Sequence, residues 1–212
     1  MTTKTDEKVL CVSRYAVELA VVAGDPAAQL EYLLTQKTYR NRHTPNDDCP
    51  PVEEDNRYKQ LIPYIVVVND KGQILAYNRG WKGGEDRLKG RWAIGFGGHV
   101  NDQDADWLDG LFREIREELD VPGAISHGWV PNQDTGSSKL HGPIGFINDD
   151  SDDVGRHHLG VVYVLRADDV TPKENPKFGW YHPHDFDYHP IWDESLESWA
   201  VLALPMVRAF LK

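Results

Sequence analysis

The chain has 212 residues, with 23 basic against 34 acidic side chains and a formal charge of −11. That length fills one well-packed core, or one domain with an extension. The charge disfavours a nucleic-acid polymer as partner, because such binding needs a basic surface to displace counterions. A small phosphorylated substrate stays compatible, since metal ions can supply positive charge locally. Cys11 and Cys49, the only cysteines, suit a reducing cytoplasm and read as two free thiols. The polar start MTTKTDEK has no apolar stretch, so no signal peptide is expected. Without a run of about 18 or more apolar residues, no membrane span is expected either.

In chain order, Val9 to Val12 reads as a short strand. Asp25-Pro26 followed by AAQLEYLLTQKTYRN reads as a capped helix, with Asp at N-cap, Pro at N1 and leucines at helical spacing. The polar, Pro-containing stretch from Asn41 to Asn56 reads as a loop or linker. IPYIVVVN (62–69) and QILAYN (73–78) flank Asp70-Lys71-Gly72, a hairpin signal. Residues 79–91 form a glycine-rich basic loop, and Trp92 to Phe96 is a short strand running into a glycine pair. Asp106 is placed to cap a helix over Trp107 to Leu119; Gly110 inside it costs about 1 kcal/mol against Ala, which suggests close packing or a weak first turn. Further strands are expected near 126–130, 143–147 and 158–166, the last (LGVVYVLR) apolar enough to be buried on both faces. Glu194 to Leu204 reads as a closing helix that Pro205 ends or kinks.

The chemistry is concentrated in Arg113-Glu114-Ile115-Arg116-Glu117-Glu118. On a helix, Glu114, Glu117 and Glu118 stand at i, i+3 and i+4 and share one face. Like charges there repel unless something positive lies among them, and hard divalent cations prefer carboxylate oxygens. The bland alternative is a solvated face on which Arg113 and Arg116 are the local partners.

With the pair Gly97-Gly98 upstream, the order Gly98, five residues, Asp104, eight residues, Arg113-Glu114-Ile115-Arg116-Glu117-Glu118-Leu119-Asp120-Val121 resembles the signature of the Nudix hydrolase superfamily. That signature runs Gly, five residues, Glu, seven residues, Arg-Glu-aliphatic-x-Glu-Glu-x-Gly-aliphatic. The chain departs from it at Asp104, at one extra residue before Arg113, and at Asp120 in place of Gly. Asp120 can take a left-handed conformation, so a helix could still end there. A looser resemblance, to MutT-type phosphoesterases known by prediction, rests on Tyr58 to Tyr64, Arg87-Leu88, Ile94 to Val100 and Glu197-Ser198-Trp199.

The resemblance implies an α/β Nudix fold over 57–212, a mixed β-sheet sandwiched between α-helices. Residues 1–56 are then an N-terminal extension packing on the core or on a second subunit, and a homodimer is a family expectation. It implies Mg2+ or Mn2+ held by Glu114, Glu117 and Glu118, with the Gly98 carbonyl as a further ligand, and hydrolysis of a phosphoanhydride in a nucleotide. Arg113 would orient a glutamate, with Asp104 and Gly97 supporting the motif. Arg87, Lys89 and Arg91 could meet phosphates, His99 could hydrogen-bond the substrate or cap its loop, and Trp81 could stack on a base or serve the core. For the general base, Glu174 fits a loop after the last core strand. Asp149, Asp150, Asp152 and Asp153 compete with it, as does a water network at Glu117 or Glu118. Two rivals on the same scaffold are a non-catalytic nucleotide-ligand sensor and an isoprenoid diphosphate isomerase; the latter wants a reactive cysteine.

The remaining motifs read as structural. His157 and His158 are adjacent and on a strand would point to opposite faces. His182, His184 and His189 lie in a Pro-containing surface stretch without a nearby cysteine. DDSDDVG (149–155) fails as a calcium loop, because Val154 and Gly160 stand where Gly and Glu are needed.

Overall fold

A computed structural model describes residues 7–45, 49–80, 90–122, 139–151, 153–175, 177–188 and 195–212. Trp81, Arg87, Lys89, Asp152, His189 and the strand expected at 126–130 lie outside the described residues. The elements run β1 (Lys8–Ser13), α1 (Arg14–Ala20), α2 (Pro26–Thr35), β2 (Thr38–Asn41), β3 (Tyr58–Val68), β4 (Ile74–Asn78), β5 (Trp92–Ala93) and β6 (Gly95–Phe96). They continue with α3 (Trp107–Glu118), β7 (Leu119–Asp120), β8 (Lys139–Ile147), α4 (Asp153–His157), β9 (His158–Arg166), β10 (Thr171–Pro172), β11 (Phe178–Tyr181), α5 (Asp185–Tyr188) and α6 (Ser198–Phe210).

The centre of the sheet is the parallel pair β3 and β9, in register from Gln60↔His158 to Val68↔Arg166. Their alternating side chains fill two cores. Leu61, Ile65, Val67, Leu159, Val161, Tyr163 and Leu165 meet α1, α2 and α3 on one face. Tyr64, Val66, Val68, Val162 and Val164 meet α6 on the other. Both faces are covered, which is why these strands read as continuous apolar runs. The other edge of β3 is shared in turn by β1, β6 and β4. The mixed sheet between helices is thus the α/β arrangement the resemblance implies. Among the described residues no helix is long and apolar enough to cross a membrane.

The N-terminal segment is part of this construction. Cys11, Val12 and Ser13 pair with Gln60, Lys59 and Tyr58, and Leu10, Val12, Leu30 and Leu33 lie in the first core. Ser13 caps α1 by accepting from the Ala16 amide at 3.1 Å, a helix that the sequence reading leaves out. Asp25 caps α2 the same way at 3.0 Å, but that helix ends at Thr35. The expected tail TYRN is strand β2 instead, where Thr38 and Tyr39 suit an extended backbone and the open edge of β1 receives them. The stretch 41–56 is no free linker either. Asp55, buried there, pairs with Arg40 at 2.6 Å and Arg57 at 2.8 Å, and their guanidinium groups hold its carboxyl well below the usual range.

Two further expectations change. The strand at 92–96 breaks at Ile94, so β5 pairs with β4 while β6 pairs with β3. The closing helix begins later than expected and runs through Pro205 to Phe210. Ala200, Ala203, Leu204 and Val207 bury a stripe that spans the proline, so packing of both halves offsets the one lost backbone bond.

Gly110 has a packing reason. A Cβ there would lie 2.8 Å from both Val100 methyls and 2.9 Å from an Asp104 oxygen. Gly110→Ala therefore destabilises the protein despite Ala's propensity advantage of about 1 kcal/mol, because overpacking costs about 1–3 kcal/mol. A raised melting temperature for this variant would refute the packing argument.

Candidate functional site

The site forms where β6 runs into the glycine pair and meets the C-terminal half of α3. Gly97 has φ 141°, and a Cβ on it would lie 1.9 Å from the Pro63 carbonyl oxygen. Only glycine lets the backbone pass β3 at this distance. A Cβ on Gly98 would lie 2.7 Å from a Glu114 oxygen, so that carboxylate rests directly on the glycine backbone.

Arg113 joins the parts. Its Nε and Nη2 donate to the two Asp104 oxygens at 2.8 and 2.9 Å, and Nη2 also donates to the His99 carbonyl at 2.7 Å. Nη1 donates to Glu114 at 2.7 Å and Glu117 at 3.2 Å. Asp104, shorter than glutamate, reaches because a turn draws it inward: its amide donates to the Asn101 carbonyl at 3.2 Å, and its carboxylate accepts from the Asn101 amide at 2.9 Å. Burial pushes Asp104 upward, but Arg113 and the Asn101 amide outweigh it and hold the carboxyl below its ordinary range. The other departure resolves differently. Leu119 leaves α3 in an extended conformation (φ −123°, ψ 140°) and Asp120 joins β7, paired with β10. No left-handed residue is used there; Asp169 is the non-glycine with positive φ among the described residues.

Burial pushes the Glu114 carboxyl up to about 7; Arg113 opposes this, while Glu117 and Glu118 add to it. Glu118 is raised too, by burial first, with Arg79 opposing and Glu174 and Glu117 adding. Glu117 is exposed. These oxygen donors, crowded and partly desolvated, suit a hard divalent cation. Glu114 also makes a stability statement. Its ordinary value is 4.5, so the folded protein binds this proton more tightly than the unfolded chain, and stability falls as pH rises between the two values. With chelator present, the difference in unfolding free energy between the native protein and Glu114→Gln should shift by up to about 3 kcal/mol from about pH 4.5 to 7. Urea melts across that range check it, and a pH-independent difference rejects it.

Glu174 lies where a loop is tied to the end of α3: the Lys173 amide donates to the Glu118 carbonyl at 2.9 Å, and Lys173 Nζ donates to the Arg116 carbonyl. Two of its competitors are engaged elsewhere. Asp150 pairs with Lys59 at 2.8 Å and Arg14 at 3.0 Å, and Asp149 accepts from the Ser151 amide. Arg91 is exposed, and its carbonyl accepts from the Arg79 amide at 2.9 Å. The His99 side chain meets His158, their Nε2 atoms 3.2 Å apart. Burial, then Arg42, His158, His43 and Arg113, hold the His99 ring well below its ordinary pKa.

The sequence reading gives no site role to Arg79, and to Glu197 only a place in the looser resemblance. Arg79 pairs with the buried Glu197 at 2.8 Å, and Tyr64 donates to the same carboxylate at 3.3 Å. Arg79 also provides the positive charge felt at Glu118. Its position, one residue past the end of β4 at the head of the basic loop, was the available signal.

A NUDIX domain family model matches residues 59–200. Protein YmaB of Bacillus subtilis (strain 168) is 31% identical over 167 residues, covering 74% of this chain and 74% of that protein. The crystal structure of Tm1382, provisionally a Nudix hydrolase, aligns with a TM-score of 0.68 at 22% identity over 96% of this chain and 100% of its own. The Nudix domain of Shewanella oneidensis NrtR, solved with ADP-ribose, aligns at 0.50 with 15% identity over 73% of this chain and 89% of its own. The two structures speak to fold; the family match and the relative decide membership, and the chain belongs to the Nudix hydrolase family.

Proposed function

We propose that the chain is a divalent-metal-dependent hydrolase of a phosphoanhydride bond in a nucleoside diphosphate derivative or nucleoside triphosphate. The observation that carries this is the Arg113 fork, which gathers Asp104, Glu114 and Glu117 while Glu114 rests on Gly98. Glu114, Glu117, Glu118 and the Gly98 carbonyl would hold Mg2+ or Mn2+. Such an ion supplies positive charge to diphosphate oxygens and acidifies water. Arg113 keeps the glutamates oriented, and the charge of Arg79 partly offsets that of Glu118. Glu174, beside Glu118, takes the proton of the attacking water. Arg87, Lys89 and Arg91 draw the phosphates into line, where displacement depends on positioning. Trp81 stacks on the base. The nucleotide class draws support from the ADP-ribose in the NrtR domain.

The isomerase reading wants a reactive thiol. Cys11 is buried in β1 with its pKa pushed up to about 12 by burial, and Cys49 is exposed on the N-terminal segment. The sensor reading draws on the departures at Asp104 and Asp120; against it, Asp104 keeps a bidentate contact to Arg113, and α3 passes into β7 at Leu119–Asp120 without a left-handed residue. A panel of nucleotide sugars, dinucleotides and triphosphates with Mg2+ and Mn2+, products identified, tests the proposal. Tight binding of a nucleotide without turnover of any would favour the sensor.

A further inference from the structure

A second donor cluster lies behind the glycine loop. Glu53 comes from the 3-10 turn Val52–Glu54, His99 from the residue after Gly98, and His158 from the first position of β9. One ligand atom from each lies within 4.8 Å of the other two. His99 Nε2 and His158 Nε2 are 3.2 Å apart. Two imidazole nitrogens on one tetrahedral zinc stand about 3.3 Å apart, given Zn–N distances near 2.0–2.1 Å. The rings are tilted 57° with centroids 5.4 Å apart, so they meet at their nitrogen edges rather than by stacking. Arg42 Nε donates to a Glu53 oxygen at 2.9 Å, the kind of outer contact that orients a ligating carboxylate. Gln60, the register partner of His158, is fully buried. Its amide is near enough to Glu53 to favour the charged carboxylate, yet neither amide atom makes a hydrogen bond of good geometry. A buried amide left this way is costly, and an ion with its water would offer it a partner.

We infer that Glu53, His99 and His158 form a second metal site, for a borderline cation such as Zn2+ and distinct from the hard-cation site on α3. The donor set decides the class: imidazole favours zinc and its neighbours, whereas Mg2+ seeks oxygen. Three protein ligands leave a position open. Occupancy would clamp the N-terminal segment, the glycine loop and β9 together. Because the His99 carbonyl accepts from Arg113, the clamp would also steady the guanidinium that orients Glu114 and Glu117. The inference does not depend on the hydrolase reading.

The test uses the full chain stripped with chelator and then saturated with Mg2+. Titration with Co2+ should give visible d–d bands of a low-coordinate, imidazole-ligated ion at one equivalent, and Zn2+ should displace it. Glu117→Gln should keep the signal, while His158→Gln and Glu53→Gln should lose affinity, by roughly 100-fold or more for the histidine. Absence of Co2+ and Zn2+ uptake by the folded native chain overturns the inference, as does uptake unchanged in His158→Gln. Should that variant not fold, X-ray absorption of the native adduct decides: two imidazole ligands support the site, and fewer overturn it.

Discussion

Glu118→Gln is expected to lower kcat by about 10³-fold, equivalent to about 4 kcal/mol of transition-state stabilisation, and to leave the fold intact. The two effects separate because of where the carboxylate sits. Burial raises the Glu118 pKa, so its charge is held at a cost in the metal-free protein. The isosteric amide removes that cost, and the melting temperature in chelator should equal or exceed that of the native chain. The same swap removes a charged oxygen donor from the hard-cation site. Glu117→Gln should behave alike, although Glu117 is exposed and shares Arg113 with Glu114. Steady-state kinetics on a substrate found in the panel, with melting curves alongside, provide the readout. Near-normal turnover in both variants would sink the mechanism.

The largest expected stability effect is at Gly97. Its φ of 141° is strained for any L side chain, and a Cβ would meet the Pro63 carbonyl oxygen at 1.9 Å. That neighbour is backbone in a central strand and cannot swing away. Strain and overpacking each cost about 1–3 kcal/mol, so Gly97→Ala should lose about 3–5 kcal/mol. Gly72 is the control, because its φ is 72° with nothing within 4 Å. Gly72→Ala should lose only about 1–2 kcal/mol. Urea midpoints for the two variants decide the matter; equal losses would mean that the close approach to β3 is not what demands glycine.

Much of this was legible locally. The β9 run was apolar without alternation and is buried on both faces. The N-caps Asp25 and Asp106 announced their helices by chemistry that acts within three residues. The signature placed Glu114, Glu117 and Glu118 on one face because helical spacing is itself local. What stayed hidden was built by long-range pairing. His158 reads in the sequence only as one of two adjacent histidines, and the register of β9 on β3 brings it to His99. Glu53 reads as part of a polar loop or linker, and only the burial of Val52 and Asp55 on either side of it ties it to the core. Helix α2 was overextended because TYRN carries no stop signal. Its fate depended on an unpaired edge of β1, which periodicity cannot show.

The parallel join of β3 to β9 has a consequence for the order of assembly. Parallel neighbours cannot be linked by a tight turn, and here the intervening chain contains the glycine pair and the whole of α3. During synthesis the N-terminal strands, the glycine strand and the glutamate helix all emerge while one flank of β3 still lacks its partner. A nascent chain ending before His158 therefore carries every signature residue but exposes an open, strongly apolar strand edge. Such long-range closure is slow relative to local pairing. Truncations upstream of β9 should yield aggregating chains rather than small active ones, and the exposed flank of β3 is where a chaperone would be needed.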